Sequence, residues 1–197
     1  MKKALFTLLF MFSCTWLLAQ DNDLDLVKSD FEKVINFTKD KETEKILDMT
    51  YPRLFEVTSR DVMKAMMDSM MPKLGITITY EDITPNIKLS NMEPVDGASI
   101  VLCKYNQSMS MYFQNAQFTD LVLTEGKSMY PDYELKKIDS NSIKLEGFAY
   151  LMAIKDSHTN GAWRYLSISD NLSVLGKILS PQLLTEVAHL KTELSKK

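Results

Sequence analysis

At Gly75 the apolar residues of this 197-residue chain change their spacing, and the change divides it into a helical part and a strand part. Upstream, Leu24, Val27, Phe31, Val34 and Ile35 recur at three- and four-residue steps, with Asp25, Lys28, Asp30, Glu32 and Lys33 between them. That is the pattern of an amphipathic helix. The charged run Lys39-Asp40-Lys41-Glu42 ends or bends it, and Ile46, Leu47 and Met49 supply a further turn or two. Tyr51-Pro52 opens a short helix with Leu54 and Phe55, because proline's missing N–H costs nothing in a first turn. Ser59 is placed to cap the next helix, Asp61 sits near its positive end, and Pro72 with Gly75 stops it.

From Gly75 onward the period is two. Ile76, Ile78 and Tyr80 alternate with Thr77, Thr79 and Glu81, a strand pattern that Ile87 and Leu89 continue. Asp96-Gly97 predicts a tight turn before a strand from Ala98 to Tyr105, and Met109, Met111 and Phe113 extend it or begin another. Phe118, Leu121 and Val122 suggest a helical piece within an otherwise ambiguous stretch from Asn115 to Ser142. Ile143 to Lys155 and Ala162 to Ser169, joined by a connection ending in Asn160-Gly161, form the clearest hairpin. Helical spacing returns at Leu172, Leu175, Ile178 and Leu179, and Ser180-Pro181 restarts it through Leu183, Leu184, Val187 and Leu190. Helices first, strands second and helices last predict an α+β fold with a mainly antiparallel sheet.

The first residues carry an address. Met1-Lys2-Lys3 precedes an apolar run from Ala4 to Leu18 and then Ala19-Gln20-Asp21, which reads as a secretory signal peptide cut after Ala19. The run falls short of the roughly 20 residues a spanning helix needs. The expected organisation is a leader over 1–19 and one domain over 20–197, with a C-terminal helical extension over 171–195. The expected location is outside the cell or in the periplasm. An alternative, a lipoprotein anchored through Cys14, is weakened because Trp16, Leu17 and Leu18 carry the apolar segment past that cysteine. Loss of the leader removes Cys14 and leaves Cys103 without a disulfide partner, inside the apolar run Ile100-Val101-Leu102. The formal charge is −3, and no lysine- or arginine-rich patch is present, which argues against a nucleic-acid partner.

Three amphipathic N-terminal helices followed by long antiparallel strands, ending in the wide hairpin from Tyr150 to Trp163, resemble the nuclear transport factor two-like superfamily over Asp21 to Ser169. The resemblance implies a curved sheet wrapped as a cone around a helix, with an internal pocket. The helices after Asp170 are additional to that pattern. It also implies one of two roles. Isomerase-like and cyclase-like members place an Asp, His or Tyr inside the cone for proton transfer, whereas many others are binding or dimerisation modules, and fold alone does not choose between them.

The residue chemistry favours binding. The two histidines, His158 and His189, have no serine nucleophile and acidic partner beside them, and with Cys103 they set no zinc-ligand spacing. The six glycines are dispersed and form no phosphate loop, so no cofactor is expected. Asp61, Asp68, Glu81 and Glu146 are the carboxylates open to a general-base role, Glu146 sharing a strand face with Phe148, Tyr150 and Met152. Met63, Met66, Met67 and Met70 have the spacing of a core-facing helical stripe. Thioethers also bind Cu(I), and flexible thioethers suit an adaptable apolar ligand. The expected pocket lining is Met63, Met67 and Met70 with Tyr105, Met109, Phe148, Tyr150 and Trp163. The leading expectation is an exported, non-enzymatic module that binds an apolar small molecule or a protein, with a sheet face open to homodimer formation. A carboxylate-dependent isomerase or dehydratase and a Cu(I) site are the alternatives.

Overall fold

The computed structural model describes residues 23–81, 86–168 and 172–196. The signal-peptide and lipoprotein expectations fall on residues outside these. The chain is α+β, and its described residues form seven strands in one antiparallel sheet. Helix α1 covers 23–39. It is followed by α2 (Thr43–Met49), α3 (Leu54–Val57) and α4 (Arg60–Ala65), which continues through a π-helical turn (Met66–Met70) into α5 (Met71–Lys73). Strands β1 (Ile76–Tyr80), β2 (Lys88–Leu89), β3 (Glu93–Val95) and β4 (Ala98–Phe113) come next, then α6 (Ala116–Met129). The chain then runs through β5 (Tyr133–Lys137), β6 (Ser142–Lys155), β7 (Arg164–Ile168), α7 (Leu172–Ile178) and α8 (Pro181–Lys196). Among the described residues no helix is long and apolar enough to cross a membrane.

Two long strands, β4 and β6, form the spine, paired from Ser99↔Lys155 to Tyr112↔Ser142. β3, β2 and β1 share the outer edge of β4, and β7 and β5 share the outer edge of β6. Local signals set the joints. Asp96 and Gly97 both adopt positive φ, the conformation that a two-residue hairpin turn requires, and Asn160 and Gly161 do so within the longer β6–β7 connection. The Ser59 hydroxyl accepts the Val62 N–H as the N-cap of α4, and Ser180 does the same for Leu183 at the start of α8.

Alternation along the spine decides what each face carries. At one end the even positions Ile100, Leu102, Met152 and Ile154 pack under α7 and α8, whose Leu183, Val187, Leu190 and Leu194 form a buried stripe. The odd positions Val101, Cys103, Leu151 and Ala153 meet Val27, Phe31 and Val34 of α1. At the other end the odd positions Met109, Met111, Phe113, Ile143 and Leu145 pack against β1, β5 and α6. The even face there is a charged ladder instead: Lys144 bridges Glu81 and Glu146, and Lys136 bridges Glu146 and Glu134.

The methionine stripe departs from its expected burial. Met66, Met67 and Met70 are 46%, 41% and 49% exposed. Their spacing buries a stripe only on a regular α-helix lying across a sheet face. Here the helix widens into a π-turn at Met66, and its end runs into β1 at the sheet edge rather than across a face.

Candidate functional site

On the odd face, α1 covers one end of the sheet and α6 the other. Between them a cleft of about 420 Å³ remains. Its roof is Val34, Ile35 and Thr38 of α1 with Ile46, Met49 and Thr50 from α2 and the link after it, and Met63 of α4 also borders it. Its floor is Tyr80, Tyr105, Gln107, Tyr133, Leu151 and Tyr165 from five strands. On its outer edge β6 has no paired strand residue at Phe148 and Ala149 among the described residues, because β5 starts pairing at Gly147 and β7 at Tyr150, and there the Phe148 N–H bonds to the Asp132 carbonyl instead. Phe148, Tyr150 and Ile168, on the other face, border the cleft at this gap.

The phenols set its polarity. Tyr133 donates to Gln107 Oε1 at 2.6 Å, and Tyr165 donates to Asp30 Oδ2 at 3.1 Å while its ring meets Phe31 edge-on. Tyr130 and Tyr133 stack edge to face with centroids 6.1 Å apart. Burial pushes the hydroxyls of Tyr80, Tyr105, Tyr133 and Tyr165 above the usual tyrosine range, so they remain protonated donors. Asp132 is the single charged side chain among the described residues of the lining, and it is already paired with Lys191 at 2.9 Å. The result is an apolar chamber fitted with neutral hydrogen-bond donors.

A second cavity, about 650 Å³, lies between the start of α2, the π-turn and β1. Met66, Met67, Met70 and Met71 line it opposite Ile76 and Ile78, with Thr43 and Asp68 also bordering it. The Asp68 carboxylate accepts from Thr43 and pairs with Lys64.

Of the residues expected to line a pocket, Met63, Tyr105, Phe148 and Tyr150 border the tyrosine cleft, while Met67 and Met70 border the methionine groove. Met109 and Trp163 border neither cavity. Met109 is buried between β1, β5 and α6, and Trp163 packs beside α1 with the Lys155 ammonium 4.7 Å from its ring. Tyr80, Gln107, Tyr130 and Tyr133 are lining residues that sequence reasoning did not single out. Alternation at Ile76-Ile78-Tyr80 was the available signal for one of them; the others depend on which strands pair.

The candidate carboxylates have other surroundings. Asp61 is exposed on α4. Hydrogen bonds from Lys64 and Thr43 lower the Asp68 pKa, those from Ser108 and Lys144 lower Glu81, and those from Lys144 and Lys136 lower Glu146. A base poised near neutrality needs the opposite shift. His158 is exposed in the β6–β7 turn, and His189 is exposed on α8, where Glu186 raises its pKa. Burial pushes the Cys103 thiol up to about 12, which makes it a poor nucleophile. Among the described residues no group of three or more His, Cys, Asp or Glu side chains is placed to hold a metal ion. No protein-family model matches the chain, and no curated protein matches it significantly.

Proposed function

We propose that this chain is an exported binding module of the nuclear transport factor two-like, cone-shaped type, which holds a small apolar molecule in the cleft between α1 and the sheet. The supporting observation is the cleft itself: about 420 Å³, within the range of small-molecule sites, with apolar walls and protonated phenols. Apolar walls give affinity by removing ligand surface from water, and a few phenol donors orient what is bound. Of the carboxylates weighed for proton transfer, Asp68, Glu81 and Glu146 are held low in pKa by hydrogen bonds from Lys64, Ser108 and Lys144 respectively, which favours binding over the isomerase or dehydratase reading.

Native mass spectrometry of protein isolated from its source tests this. The expected spectrum shows a bound apolar mass that is lost when the cleft is filled by Ala149→Trp. A ligand-free wild-type protein, or an adduct that survives the filling substitution, sinks the proposal.

A further inference from the structure

The tyrosine cleft and the methionine groove share three walls: Thr38, Ile46 and Tyr80 border both. The two cavities therefore adjoin along these residues, and they differ in chemistry. At the inner end the hydroxyls of Tyr80 and Tyr105 make no hydrogen bond to any described residue, while Tyr133 is occupied with Gln107. Both residues are part-buried and line the cleft, so a ligand that supplies an acceptor can bond there to phenols that no described residue engages. The single charge among the described lining of the cleft is the Asp132 carboxylate, which disfavours an anionic head, while Lys39 borders only the small adjoining pocket that shares Tyr80, Tyr105 and Gln107. At the outer end, three half-exposed methionines face Ile76 and Ile78 across the groove. Unbranched thioethers reshape readily around a flexible hydrocarbon.

Resting on the reading of the cleft as a ligand site, we infer that the two cavities form one channel for a single-chain amphiphile with an uncharged, hydrogen-bond-accepting head. The head lies among Tyr80, Tyr105 and Tyr133, and the chain runs out past Ile46 along the π-turn.

The test titrates the intact protein with monoacylglycerols of increasing chain length, below their micelle thresholds, and follows binding by calorimetry. With the wild-type chain, Kd falls about three- to fourfold for each added methylene until the groove is filled. Met67→Glu, a change at an exposed position, flattens that dependence but leaves the shortest probe's affinity unaltered. Tyr105→Phe keeps the ring and weakens every chain length by about five- to tenfold.

Binding of the short probe without chain-length dependence, or a dependence that survives Met67→Glu, overturns the channel and leaves the cleft reading standing. Tighter binding of a fatty-acid anion of equal length overturns the uncharged head. Absence of binding by every probe removes the cleft reading together with the channel.

Discussion

Gly147 shows how one side chain, or its absence, holds the sheet together. A Cβ there would lie 2.2 Å from the Asp132 carbonyl oxygen and 2.7 Å from Tyr133 Cα, both backbone atoms. The start of β5, with Tyr133 and its bond to Gln107, approaches β6 only because that volume is empty. Gly147→Ala is therefore expected to cost on the order of 2 kcal/mol in urea unfolding, by forcing β5 away from its neighbour. An unchanged midpoint would remove the close-approach argument. The glycine was visible in the sequence, but the carbonyl it accommodates lies in a stretch whose local pattern was ambiguous. Cys103 is the opposite case, since its apolar neighbours already indicated the buried thiol that the structure contains.

Elements with strong local signals were legible. The Ser59 and Ser180 caps, the two positive-φ hairpin turns and the α8 stripe all follow from neighbours a few residues apart. What alternation left unassigned was which polar strand face stays open. The face bearing Glu81, Lys144, Glu146 and Lys136 does so, and its carboxylates, with Glu44 and Asp68 beside α4, have pKa values lowered by basic partners. A carboxylate whose folded pKa is depressed adds stability above its unfolded value, and that stability fades as pH falls through the folded one. Urea midpoints should accordingly hold from neutrality to about pH 5, then fall below about pH 4, with Glu146→Gln reducing the drop. Glu44 and Asp68 are exposed and Glu81 and Glu146 half-exposed, so high salt should shrink the effect. A midpoint that rises on acidification would contradict these directions.

At the scale of the molecule the two ends of the spine are unequal. Ile100 to Cys103 and Leu151 to Ile154 are covered on both faces, by α1 and by α7 with α8, whereas the end near Ser110 and Lys144 is covered by α6 on one face only. Amide hydrogen exchange should be slowest over 100–103 and 151–154 and faster over 108–112 and 142–147. The reverse order would mean that α6 stabilises its end more than the flanking helices stabilise theirs.

Taken alone, the amino-acid order determined most helices and strands outside 115–142, the turns at Asp96-Gly97 and Asn160-Gly161 and the antiparallel character of the sheet. Those outcomes follow from periodicity, capping and turn conformation, all decided within a few residues. Only the tertiary structure brought Tyr80, Tyr105, Tyr133 and Tyr165 from four strands into one chamber and left the methionines of the π-turn at the surface. Strand order and helix placement set both results, and these depend on contacts between distant segments that no local pattern encodes.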